Sequence, residues 1–429
     1  MEKVQYSKGA VGGEISLPPS KSVAHRALLC AALSGGCCNI SPIENSGDMQ
    51  ATFHFIRAMG AELLFDESAK QVEIKPGKKP ENCTVNCLES GSTLRFVIPI
   101  LAAMGIPATF TGGGRLPERP IGIYGQILHG VHCVGEGLPF HISGTLESGR
   151  FDVPGNISSQ FITGLLLALP LLSGNSEIHL STKLESESYV NLTLDVMKDF
   201  GVEARKTEYG YFIYGNQKYC SRDYEVEADW SHAAFFLSMA AFTKEKIILR
   251  GLRQNSPQGD RAVAALFAQM GVSVALNADC LTAWNPHCGE PFHGLHAIAV
   301  NASDIPDLVP PLAITAALCQ GETVISHAAR LRLKESDRLK ALCGAIAALG
   351  GSVRETEDGL VLQGVKMLSG GQAFGCSDHR IVMSMAAAAS ASQAPVTVTE
   401  PWSIRKSYPG FFSDYGQLGG VCHVLNMGQ

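Results

Sequence analysis

Two kinds of helical pattern alternate along the chain. Segments such as FIRAMGAEL, VMKDFGVEA and LFAQMGVSV space apolar residues three or four apart, then reach a glycine and a short strand-like run. Such a stripe predicts a surface helix that ends on a left-handed glycine and turns into a strand. The closing glycines are Gly60, Gly130, Gly201, Gly271, Gly350 and Gly419, at intervals of 70, 71, 70, 79 and 69 residues. Between them lie SKSVAHRALLCAAL, SGSTLRFVIPILAAM, SSQFITGLLLALPLL, WSHAAFFLSMAAF, DIPDLVPPLAITAAL and SDHRIVMSMAAAA. These are apolar almost all round, the pattern of helices enclosed in a core. They open at Ser22, Ser92, Ser159, Ser231, Asp307 and Asp378, at intervals of 70, 67, 72, 76 and 71 residues, and serine and aspartate are favourable N-caps.

Two registers in phase predict six repeated units of roughly 70 residues, each with strands, one buried helix and one surface helix. A chain of 429 residues exceeds one ordinary core. The units are therefore expected to group by threes into two α/β domains. The boundary is expected near VEADWS, giving one domain over 18–228 and a second over 229–429. The strand in 1–17 is left over and is expected to cross back and complete the second domain.

Composition narrows the function. A hydrophobic content of 45%, a charged content of 17% and a net charge of −6 fit a well-buried enzyme. They disfavour broad binding to nucleic acid or anionic membrane, which needs a basic surface. No apolar run reaches the roughly 18 residues of a membrane span, and the first residues lack an apolar signal core. Thirteen cysteines occur without a C-x-x-C pair, so reduced thiols, no structural metal and a cytoplasmic location are expected.

Within this acidic chain, cations gather at helix starts. Lys21 and Arg26 follow LPPS, where the helix field disfavours positive charge. Arg95 follows SGST, Arg119 lies in GGGRLPERPIG, Lys334, Glu335 and Arg338 crowd into RLRLKESDR, Arg380 follows Asp378, and Lys406 lies in RKSYPGFF. A bound anion at converging helix N-termini would explain them together, although each alone also fits a solvated face or an ordinary ion pair. Ser158, Ser159 and Gln160 form either a cap with a spare neighbour or a phosphate grip. Asp307, followed by Pro310 and Pro311, belongs at or just before a helix start, as a cap or as an acid/base held among cations.

LPPSKSVAHR, SGSTLRF, GRLPERPIG, ISSQFITGLLLA, IPD, RLKESDRL, SDHR and KSYPGFF resemble, in order and over nearly the whole chain, the signatures of the 5-enolpyruvylshikimate-3-phosphate synthase family. The related UDP-N-acetylglucosamine enolpyruvyl transferases usually show Lys-Asn at the first motif and a reactive cysteine in the glycine-rich loop. Here Lys21-Ser22 stands at the first, and the loop 111–120 has no cysteine. The resemblance implies two similar domains, each of three βαβαββ units in an inverted α/β-barrel-like arrangement, closing on substrate. The implied reaction joins phosphoenolpyruvate to the 5-hydroxyl of shikimate 3-phosphate and releases phosphate.

By the same resemblance, Ser22 and Arg26 hold the shikimate carboxylate, and Ser158, Ser159 and Ser186 hold the phosphate. Tyr189 lies against the ring, and Asp307 and Lys334 meet its hydroxyls, with Lys21 and Gln160 adjoining. Lys21, Gly91, Arg119, Gln160, Arg338, Arg380 and Lys406 surround phosphoenolpyruvate. Asp307 and Glu335 are the expected acid/base carboxylates, assisted by Lys21. The 18–228 domain is expected to bind mainly shikimate 3-phosphate, and the other to carry catalytic and phosphoenolpyruvate-binding residues. The resemblance implies no cofactor, no metal and a monomer. The intact Gly91 implies binding of glyphosate, a phosphoenolpyruvate mimic. A six-unit binding ring of the sliding-clamp kind is the rival from another class, against which the net charge of −6 speaks.

Overall fold

Short strands and helices assemble into six four-stranded sheets among the described residues, which are 2–9 and 11–426 of a computed structural model. Every sheet has one order. Arg150–Val153 runs parallel to Ser176–Leu180, which pairs antiparallel with Gly210–Ile213, which pairs antiparallel with Ala204–Thr207. Cys83–Asn86, Ala108–Thr111, Phe140–Gly144 and Val131–Val134 repeat the pattern. A parallel pair needs a crossover, supplied by the buried helix, while the antiparallel pair closes as a hairpin. The result is a contiguous βαβαββ unit over 83–144, 150–213 and 299–363.

Three strands join sheets far from their place in sequence. Tyr224–Glu225 lies parallel to Cys38–Ser41 and completes the first unit. Gly13–Ser16 lies parallel to Ile247–Arg250. Glu2–Ser7 inserts between Val396–Thr399 and Val421–Asn426. The N-terminal segment thus supplies two strands, where patterning expects one. The chain divides into a unit of Met1–Pro18 with Ala228–Gln429 and a unit of Pro19–Glu227, each with its own hydrophobic core. No helix among the described residues is long and apolar enough to cross a membrane.

The two helix classes differ as their patterns require. Trp230–Ala240 and His379–Ser390 are buried at every residue, whereas Ala262–Met270 buries only Val263, Phe267 and Met270. All six closing glycines have positive φ, from 77° at Gly130 and Gly201 to 107° at Gly271. That conformation stops the helix at no steric cost only for glycine.

The helix starts need correction. Ser20, not Ser22, caps Lys21–Leu33, its Oγ accepting from the Val23 N–H at 3.4 Å. Ser90 caps Gly91–Ala103, Ser158 caps Ser159–Ala168, and Asp229 caps Trp230–Ala240. Each has the extended backbone a cap needs, with the first helical residue behind it. Asp378 does cap His379–Ser390, accepting from the Arg380 N–H at 2.9 Å. Asp307 caps nothing: it lies in the single turn Pro306–Leu308 that leads into Val309–Ala316. Ser159 is therefore the first helical residue and Ser22, Ser92 and Ser231 the second, with hydroxyls released from capping.

Candidate active site

In the Pro19–Glu227 unit, the helix Lys21–Leu33 starts without any acidic residue in its first turn. The carboxylate that meets Lys21 comes from the neighbouring helix Gly47–Ala58: Lys21 Nζ lies 2.8 Å from Asp48 Oδ2. Arg26, 3% exposed, donates through Nε to Thr193 Oγ1 at 2.8 Å and through Nη1 to the Ser22 carbonyl at 2.7 Å. Its Nη2 donates to the Tyr189 carbonyl at 2.9 Å and to Thr163 Oγ1 at 3.4 Å. The fold itself therefore supplies partners for both cations, Asp48 for Lys21 and four oxygens for Arg26. All of Arg26's are neutral oxygens, and burial lowers its guanidinium to about 10, with Tyr189 and Cys30 acting in the opposite sense.

Gly91 opens the helix Gly91–Ala103 directly beneath two guanidiniums. A Cβ there would stand 2.6 Å from Arg119 Nη1 and 3.2 Å from Arg95 Nη1, so a larger residue would push the ends of these two side chains aside. Arg95 Nη1 donates to Gln160 Oε1 at 2.7 Å, and Gln160 Nε2 donates to Ser92 Oγ at 2.9 Å. Gly164 lets the helix Ser159–Ala168 approach closely, since a Cβ would lie 2.4 Å from the Arg95 carbonyl. Ser158 and Ser159 start that helix, and Ser186 and Tyr189 start Glu187–Asp199, which packs on it. Ser186 is 2% exposed and holds a left-handed conformation with φ 56°.

In the other unit the carboxylates and cations interlock. Arg338, 1% exposed, donates through Nη1 to Asp307 Oδ1 at 2.9 Å, through Nη2 to Glu335 Oε2 at 2.7 Å and through Nε to Asp378 Oδ2 at 2.8 Å. Arg380 donates to Asp307 Oδ2, the Asp307 carbonyl and Ser231 Oγ, each at 3.0 Å. Lys334 Nζ lies 4.0 Å from Asp307 Oδ1. Burial opposes the charge of Arg338, and the carboxylates of Asp378, Glu335 and Asp307 outweigh it, holding its guanidinium above the ordinary range. Lys334 is lowered to about 8, chiefly by burial, with Asp307 acting against the shift and Arg338 with it. Lys406 ends the turn Pro401–Lys406.

The structure thus joins Asp307, Lys334, Glu335, Arg338 and Arg380 in one cluster, and Gly91, Arg119 and Gln160 in another. Sequence reasoning singled out Arg95 as a cation but not as the residue that orients Gln160. It passed over Asp48 and read Asp378 only as a helix start, though each is an arginine or lysine partner. An aspartate in a first helical turn is so ordinary that its sequence signal is a cap; only tertiary pairing marks these two. Within each cluster the guanidiniums can bind anions bidentately, and a lysine near pKa 8 beside a carboxylate can exchange protons near neutrality.

The profile of the family EPSP synthase (3-phosphoshikimate 1-carboxyvinyltransferase) matches residues 6–415. A 3-phosphoshikimate 1-carboxyvinyltransferase of Clostridium kluyveri is 41% identical, with all of both chains covered, and that of Clostridium acetobutylicum is likewise 41% identical over all of both chains. The fold matches an EPSP synthase structure from Acinetobacter baumannii with a TM-score of 0.82 at 23% identity, covering 99% of this chain and 100% of that one. The chain belongs to the EPSP synthase family.

Proposed function

We infer that the protein transfers the enolpyruvyl group of phosphoenolpyruvate to the 5-hydroxyl of shikimate 3-phosphate, releasing phosphate, in aromatic amino-acid biosynthesis. Beyond family membership, the observation that carries this reading is Asp307 bonded to Arg338 and Arg380, with Lys334 4.0 Å away. An addition–elimination between two anionic substrates needs such an acid/base carboxylate set among cations.

The hydroxyl oxygen attacks C2 of phosphoenolpyruvate and loses its proton, while C3 gains one, giving a tetrahedral intermediate. Phosphate then leaves as C3 returns its proton. Asp307 and Glu335 exchange these protons, assisted by Lys21. In the Pro19–Glu227 unit, Ser22 and Arg26 hold the shikimate carboxylate, Ser158, Ser159 and Ser186 the phosphate, and Tyr189 the ring. Lys21, Gly91, Arg119 and Gln160 serve phosphoenolpyruvate there. In the other unit Lys334 and Asp307 meet ring hydroxyls, and Arg338, Arg380 and Lys406 serve phosphoenolpyruvate. Arginine suits these roles because its planar fork pairs bidentately with carboxylate and phosphate. Glyphosate competes with phosphoenolpyruvate, since Gly91 leaves space beside Arg119 and Arg95. The protein acts in the cytoplasm, a reading its free cysteines support, and as a monomer, as the family resemblance implies.

Phosphate release from phosphoenolpyruvate by the purified protein tests the reaction. Release that depends on shikimate 3-phosphate is expected. Release that requires UDP-N-acetylglucosamine instead would overturn it.

A further inference from the structure

The segment entering the helix His379–Ser390 is a four-residue turn, Gly375–Asp378, closed by the Asp378 N–H donating to the Gly375 carbonyl at 3.0 Å. Both central residues have positive φ, 53° at Cys376 and 52° at Ser377. That is the pattern of a type I′ turn, which is ordinarily built from glycine, asparagine or aspartate. Cys376 and Ser377 are both exposed, so core packing does not impose the strained backbone. Strain of this kind persists only where the surroundings hold it.

The group that holds it is Glu400. Its Oε2 accepts from the Ser377 N–H at 2.6 Å and its Oε1 from the Ser377 hydroxyl at 3.1 Å. Glu400 is itself left-handed, with φ 58° and ψ 49°, and opens the turn Pro401–Lys406, whose Ser403 N–H donates to the Glu400 carbonyl at 3.1 Å. The same seam is drawn close at Gly375, which donates to Thr399 Oγ1 at 3.0 Å and has no room for a Cβ, which would lie 2.3 Å from the Thr399 carbonyl oxygen. Strained backbone therefore stands at the entrance to two elements, one carrying Asp378 and Arg380 and the other ending at Lys406. Asp378 passes any movement on, because it also accepts from Arg338 Nε at 2.8 Å and from the Ser336 hydroxyl at 3.0 Å.

We propose that Glu400 is a positioning residue: its carboxylate staples the strained turn at Cys376–Ser377 and so fixes Arg380 and Arg338 on one side and Lys406 on the other for binding phosphoenolpyruvate. The role rests on the assignment of those cations to phosphoenolpyruvate. Glu400 acts through the turn and touches no substrate.

Steady-state kinetics with each substrate varied in turn tests this on Glu400→Ala, Glu400→Gln, Arg380→Ala and the double variant Glu400→Ala with Ser377→Gly. Glu400→Ala is expected to raise KM for phosphoenolpyruvate at least about tenfold, while KM for shikimate 3-phosphate stays within about twofold. Glycine adopts positive φ freely, so adding Ser377→Gly recovers part of the loss. Glu400→Gln keeps one acceptor for the Ser377 N–H and falls between; it carries the same test if the alanine variant does not fold. An unchanged KM for phosphoenolpyruvate, an equal rise in both KM values, or a loss that glycine does not lessen overturns the role. Arg380→Ala separates the two layers. No effect there overturns the substrate assignment and the role built on it, whereas a raised KM there beside an unaffected Glu400→Ala overturns the positioning role alone.

Discussion

Arg26 and Arg338 are both nearly fully buried guanidiniums, 3% and 1% exposed, and they are satisfied in opposite ways. Arg26 spends its donors on two hydroxyls and two carbonyls, and burial lowers its guanidinium to about 10. Arg338 spends its donors on three carboxylates, which hold its guanidinium above the ordinary range despite burial. The comparison separates two uses of buried charge. A cation among neutral acceptors keeps most of its charge uncompensated and is suited to meeting an anionic substrate. A cation locked to carboxylates fixes their geometry, which suits groups that must move protons over short, defined distances. Lys21, paired with Asp48 in the Pro19–Glu227 unit, is built like the second kind.

The largest effects should fall on turnover. Lys21→Ala, Asp307→Asn and Glu335→Gln are each expected to lower kcat by about 100-fold or more, with Tm changed little in Lys21→Ala. Arg26→Lys and Ser159→Ala should instead raise KM for shikimate 3-phosphate with a smaller change in kcat. If the split ran the other way, the contrast between the two units would collapse.

Stability should follow the same division. Arg338→Met removes the cation shared by Asp307, Glu335 and Asp378 and leaves Asp307 only its contacts with Arg380 and Lys334 among those described, costing about 3–5 kcal/mol. Arg26→Met leaves neutral oxygens without a donor, costing about 1–3 kcal/mol. Urea unfolding of both variants checks the order; equal losses would remove the distinction.

The next effect is on pH dependence. Lys334 carries its charge below pH about 8 and loses it as pH rises through that value. Its pull on a substrate hydroxyl and on Asp307 is lost with it, so kcat/KM should descend on an alkaline limb beginning there. Lys334→Arg, whose guanidinium stays charged throughout, should remove the limb. A profile flat from neutrality to pH 10 in the wild type would refute the assignment.

The smallest effect sharpens the corrected helix start. Ser20→Ala should cost about 1 kcal/mol of stability as a lost cap, and Ser22→Ala should leave stability nearly unchanged while weakening shikimate 3-phosphate. Reversed behaviour in denaturant titrations would restore Ser22 as the cap.

Much of this was written in the chain. The alternation of wholly apolar helices with amphipathic ones, and a glycine closing each of the latter, specified six α/β units because helix burial and left-handed termination are local properties of sequence. The same phase brought Lys21, Asp307, Lys334, Glu335, Arg338 and Arg380 to attention at helix starts. Other features were decided by tertiary structure alone. Ser20 and Ser22 are both plausible caps until the backbone selects one, and Asp48 and Asp378 look like ordinary first-turn aspartates until a neighbouring element supplies a cation. The return of Gly13–Ser16 and Glu2–Ser7 to sheets formed by residues more than 200 positions away has no local signal, since strand pairing is chosen by which edge stands open in the folded chain. The sequence by itself determined the repeat, the helix classes and the inventory of charges. Which charges face which, and so which are free to meet a substrate, is a matter of long-range contact that only the fold decides.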